Sequence, residues 1–114
     1  MANDDRPKLI VTTGNDVHGH EIEEYLGVVR GIVVRATSIT QGLRGAFKSI
    51  VGGNVAAYEE VCEAARMDAF KRMARQAKEI GADAIIAMRY DATEFQQGTT
   101  EVLAYGTAVT LRKT

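Results

Sequence analysis

The run VAAYEEVCEAARMDAFKRMARQAKEIG, residues 55–81, decides the architecture. Between Val55 and Ile80 it contains no proline and no glycine, the two residues that most disfavour a helix interior. Tyr58, Cys62, Ala65, Ala69, Met73, Ala77 and Ile80 step by three or four and line up as one apolar stripe. Met67, Phe70 and Ala74 form a second stripe beside it. Glu63/Arg66, Asp68/Arg72 and Arg75/Glu79 fall at helical charge-pair spacing. Asn54 is suited to the N-cap, and Gly81 to the position just past the C-terminal end. The spacing therefore predicts one helix about 39 Å long. That is long for a chain of 114 residues.

The segments around this helix read as strands. KLIVTT, residues 8–13, is a short β-branched run, broken by Gly14-Asn15-Asp16. YLGVVRGIVVRAT, 25–37, is rich in valine and isoleucine and free of proline. Its Gly27 and Gly31 suggest a bulge or a close backbone approach. AIIAMRYDA, 84–92, and EVLAYGTAVTLR, 101–112, complete the set, with a turn at Gln96-Gln97-Gly98 between them. ITQGLRGAFKSIV, 39–51, shows helical spacing interrupted by two glycines and predicts at most a short helix. The order is β-α-β-β preceded by a short strand. The fold class is α+β, with an antiparallel sheet packed on one long helix in two layers.

Neither face of that sheet is mostly polar. The last strand places Leu103, Tyr105, Thr107, Val109 and Leu111 on one side, and Val102, Ala104, Gly106, Ala108 and Thr110 on the other. A sheet with one wet face alternates apolar and polar residues. One helix covers one face, and the segment near 43–51 is long enough to cover part of the other but not all of it. The second helix stripe also lacks a partner. A second copy of the chain covers these surfaces most simply, the alternative being that local loops fold over the second face.

Composition narrows the function classes. The formal net charge is −1, with 25% charged residues and 46% hydrophobic ones. That balance gives no broad electrostatic footprint for nucleic acid or a membrane surface. No apolar run reaches the roughly 20 residues of a membrane span. The single cysteine, Cys62, excludes an internal disulfide. It lies on the main helix stripe, where a buried cysteine acts as a small hydrophobe. These features lead us to expect a cytoplasmic protein, with residues 1–7 disordered and one domain over 8–114.

Two local patterns are candidate sites. In NDVHGHEIEE, 15–24, an extended His-x-His would place His18 and His20 on one side of the chain, with Glu21 beside them. Such a set suits a divalent transition metal, zinc, nickel or copper. The competing reading is a solvated turn between two strands, and it weighs more. In the second pattern, Gly52, Gly53 and Asn54 lead into the helix, with Tyr58 and Glu59 in its first turns. Exposed backbone N–H groups there suit a phosphate or another anion. The stretch lacks the Lys-Ser/Thr of a phosphate-binding loop, however, and Glu59 and Glu60 would repel an anion. No nucleophile–base or paired-carboxylate spacing marks a catalytic site, so a non-enzymatic protein is expected.

VTT (11–13), EYLGVVRG (24–31), IVGG (50–53), AYEE (57–60), GADAII (81–86) and GTAV (106–109) recur in this order and spacing in one family. Over nearly its whole length the chain resembles the YbjQ-like family, also called uncharacterised protein family 0145. That family carries the label "putative heavy-metal-binding domain". The resemblance implies a β-α-β-β fold similar to a dodecin subunit and assembly into a homopentameric ring, with the last strand central. It implies no established catalytic residue and brings no accepted metal ligands. Function is thus expected to reside in a ring-forming protein that holds a small ligand or ion. The alternative is a heavy-metal-binding protein using His18 and His20.

Overall fold

The computed structural model describes residues 8–35, 56–96 and 98–113. The expected short helix within 39–51, the Gly52-Gly53-Asn54 lead-in and the expected N-terminal disorder fall outside these residues, as does the side chain of Tyr58. The described elements are β1 (Ile10–Val11), β2 (Ile22–Arg35), α1 (Ala56–Glu79), β3 (Ala84–Gln96) and β4 (Thr99–Leu111). They form one four-stranded sheet in the order β1-β3-β4-β2 with the helix on one side. As the resemblance implied, β4 is central and antiparallel to both long neighbours. The sheet is mixed rather than purely antiparallel, because β1 pairs parallel to β3 through Ile10–Ala84 and Val11–Ile85. The expected strand at 8–13 shrinks to two residues. Beyond Val11 the chain turns to bond a distortion in β3, with Met88 N donating to Thr12 O at 3.0 Å and Ala87 N to Gly14 O at 2.7 Å.

That distortion is a bulge. Between Ile86 and Arg89 the register on β4 advances only from Thr107 to Tyr105, so β3 carries one extra residue. Ala87 absorbs it at φ 54°, a left-handed conformation costly for a residue with a Cβ.

The core is built on the helix side. Ala65, Ala69, Met73 and Ala77 are buried against Val29 and Val33 of β2, Ile85 and Met88 of β3, and Val102, Ala104 and Ala108 of β4. Ala65, Ala69 and Ala77, on one helix face with Met73, bring the helix axis close to the strands. Gly31 of β2 marks the closest approach. A Cβ there would stand 2.0 Å from the Ala69 carbonyl oxygen and 2.6 Å from the Met73 nitrogen. The helix therefore lies over β2 and not over the middle of the sheet. The outer part of the predicted stripe departs from expectation. Cys62 is exposed rather than buried, and Ile80 is 47% exposed. Among the described residues the buried helix positions run from Ala65 to Ala77, the turns that lie over the strands.

Placing the helix at the sheet edge also changes its charge pairs. Asp68 meets Arg35 of β2 at 3.4 Å. Arg72 donates to the Ile32 carbonyl at 2.7 Å, and the Gln76 side-chain oxygen accepts from the Arg30 amide at 2.8 Å. Arg66 stacks over the Tyr90 ring at 5.1 Å.

Candidate functional site

The two histidines occupy a tight turn and not an extended strand. His20 N donates to Val17 O at 3.0 Å, and Gly19 between the histidines has φ +82°. A positive φ at the third turn position, with none at His18, is the signature of a type II turn, which favours glycine there. Val17 anchors this turn by burying its side chain against Ala84, Ile86, Val109 and Leu111. His18 and His20 are exposed. Glu21 is engaged elsewhere: its carboxylate takes the Arg112 guanidinium at 2.8 Å. The local sequence folds this way because one apolar residue docks on the sheet while its polar neighbours turn into water.

Gly19, His20, Glu21 and Arg112 line a shallow depression of about 410 Å³ at this turn. Among the described residues no group of three or more His, Cys, Asp or Glu side chains gathers to hold a metal ion. At the helix start, Glu59 is exposed in the first turn, where its charge suits the helix dipole without any ligand.

A larger feature lies on the sheet face opposite the helix. The Val17 turn covers only the end of this face near Val109 and Leu111. Among the described residues the remainder is open and substantially apolar. Tyr25 and Val28 are each 67% exposed, Val34 49% and Ile32 38%, with half-buried Leu103, Tyr105 and Thr107 beside them. The register sets Arg30, Tyr105 and Arg89 side by side in one row across three strands. Two residues nearer the β3–β4 turn come Ile32, Leu103 and Asp91, and then Val34, Glu101 and Thr93. Arg89 also fastens the N-terminal loop, donating to Thr13 O at 2.9 Å and Met88 O at 2.8 Å. On the helix side, a trough of about 370 Å³ remains over β3, lined by Glu63, Arg66, Met67, Phe70 and Tyr90.

Alternation within each strand announced both apolar faces. The arginine–tyrosine row was hidden, since it depends on the register of three strands and on the extra residue at Ala87. The edge contacts of Arg72 and Gln76 were hidden too, because they depend on the helix lying over β2.

A family model, YbjQ_1, described as "Putative heavy-metal-binding", matches residues 9–112. The chain belongs to this family. Curated relatives of matching length are named UPF0145 proteins. A UPF0145 protein of Legionella pneumophila is 56% identical over 101 residues, covering 89% of this chain and 96% of that one. A UPF0145 protein of Burkholderia thailandensis is 52% identical over 103 residues, covering 90% and 92%. The fold also matches a crystal structure from Pediococcus pentosaceus, a protein with unknown function of the DUF74 family. The TM-score is 0.59 at 16% identity, covering 91% of this chain and 98% of that one. At this identity the likeness concerns the fold alone.

Proposed function

We propose that this protein is a non-enzymatic, self-assembling module whose working form is a homo-oligomer. One observation carries the reading: the uncovered sheet face, with Tyr25, Val28, Ile32 and Val34 between 38% and 67% exposed. A contiguous apolar surface of this kind marks an interaction site, and an identical chain is the partner always present with it. The trough at Met67, Phe70 and Tyr90 gives a second apolar surface on the other side of the molecule. Two separate surfaces on one chain suit assemblies larger than a dimer. The resemblance to the YbjQ-like family implies five copies in a ring of dodecin-like subunits, and a small ligand or ion would lie between subunits. Native mass spectrometry of untagged protein tests this reading: it expects several copies at micromolar concentration, and a single chain would refute it.

A second reading is favoured by the family description. His18 and His20 lie exposed on one turn, and assembly brings such turns from several copies together into a shared metal site. Metal analysis of untagged wild-type protein and of the His18→Ala/His20→Ala variant separates the two readings. Stoichiometric zinc, nickel or copper that disappears in the variant supports the metal reading. Equal metal content in both removes these histidines from it.

A further inference from the structure

We infer that the assembly contact joins two different surfaces: the exposed β2 rim of one copy, with Tyr25, Val28, Ile32 and Val34, docks in the trough over β3 of the next copy, at Met67, Phe70 and Tyr90. The inference rests on the self-assembly reading and adds which surface meets which.

The two surfaces lie on opposite faces of the sheet. Val29 and Val33 are buried against the helix, so alternation turns Val28, Ile32 and Val34 to the other face. Tyr90 pairs with Ala104 of β4, and Ala104 is buried under the helix. Tyr90 therefore stands on the helix side, where Arg66 stacks over it at 5.1 Å. The two surfaces also lie at opposite edges. β2 closes one edge of the sheet. At the other, β1 pairs with β3 at Ala84 and Ile85, so beyond the bulge β3 is the outermost strand among the described residues. One cause produces the trough: the helix sits over β2 at Gly31 and leaves the helix side of β3 unfilled.

This placement determines the kind of assembly. Neighbouring strands are about 5 Å apart, so two spacings set rim and trough about 10 Å apart across the sheet. A copy seated by its rim in the next trough is displaced sideways and in depth. Repeating that step about an axis builds a ring, whereas a surface that meets its own like stops at two copies.

Shape and charge favour rim in trough over rim on rim. Tyr25 and Val28, each 67% exposed, stand proud of the sheet. The trough is a hollow of about 370 Å³ between Met67 and Phe70 of the helix and Tyr90 of the strand. Projecting side chains fill a hollow, while two hollows face to face leave a void and forfeit packing contacts. Arg30 lies in the rim between Val28 and Ile32, and Glu63 lines the trough. Neither meets an oppositely charged side chain among the described residues. Arg66, the cation of the trough, is laid over the Tyr90 ring. Rim in trough brings a guanidinium to a carboxylate, and rim on rim brings two guanidinium groups together. Such a pair sets register and excludes the wrong contact more than it adds affinity.

The test mixes two full-length variants, Val28→Asp in the rim and Met67→Asp in the trough, and counts chains by native mass spectrometry. Val28 is 67% and Met67 50% exposed, so both variants should keep the wild-type circular dichroism. Each has one surface spoiled and the other intact. Alone, each should run as a single chain. Mixed in equal amounts, the intact rim of Met67→Asp should dock in the intact trough of Val28→Asp, giving particles of two chains, one of each variant, and nothing larger. Wild-type assembly by either variant, two-chain particles from either alone, or no mixed particle overturns the rim-in-trough contact and leaves self-assembly standing. A single chain in the wild type overturns both.

Discussion

At the scale of single residues, the molecule rests on a few positions where the backbone leaves no room for choice. Gly31 is the most constrained. A methyl group there would meet two backbone atoms of the helix at 2.0 and 2.6 Å, and a helix backbone cannot step aside as a side chain can. Gly31→Ala should lower stability by about 3 kcal/mol or more, the upper range for overpacking, measured by denaturant unfolding. At Gly106 the nearest obstacle is the flexible Ile85 side chain at 2.5 Å, with the Ile86 carbonyl at 3.0 Å. Gly106→Ala should therefore cost less, about 1–2 kcal/mol. Ala87 is the opposite case. It has a Cβ in a left-handed conformation, so Ala87→Gly should be neutral or stabilising by up to about 1 kcal/mol, whereas Ala87→Val should destabilise. Reversal of that order would show that the bulge at Ala87 is misplaced. The need for a close approach at Gly31 could be read in advance from two glycines in a β-branched run. The strain at Ala87 could not, since nothing in AIIAMRYDA distinguishes that alanine from its neighbours.

At the scale of elements, the helix and β2 protect one another. β2 is an edge strand of 14 residues, and a long exposed edge invites pairing with other chains. Gln76 and Arg72 occupy outward-facing backbone groups at Arg30 and Ile32. Removing either side chain should cost about 1 kcal/mol, the net value of a hydrogen bond. Gln76→Ala should also speed hydrogen exchange of the Arg30 amide without changing exchange in β4. Unchanged protection at Arg30 would mean that the contact is not formed in solution. The helix, the three long strands and the central place of the last strand were legible from periodicity and resemblance. The lateral position of the helix was not. It follows from Gly31 and the alanine ladder Ala65, Ala69 and Ala77 acting together, and it is what exposes Cys62 and draws Asp68 to Arg35. The histidine turn shows the same limit. His-x-His in a strand presents both rings on one side, but Gly19 makes a type II turn available, and the docking of Val17 selects it.

At the scale of the whole molecule, the described residues leave exposed much of what a folded domain normally hides. The sheet supports the helix on one face, while among the described residues the other is covered where Val17 reaches it. Exposed valine and isoleucine stand in adjacent rows of this face, with arginines and a glutamate spaced among them, and it is the surface on which we propose self-assembly. Val28→Asp and Ile32→Asp each place a charge on this open face, away from the helix core. Either should leave the fold intact by circular dichroism while reducing the number of copies per particle. The same substitutions on an isolated chain would instead improve solubility and leave its size unchanged. The measurement that tests the central claim most directly is sedimentation velocity of untagged wild-type protein at micromolar concentration. Self-assembly predicts a single boundary at a multiple of the chain mass that collapses towards one chain in Ile32→Asp; a wild-type boundary at the mass of one chain would contradict it.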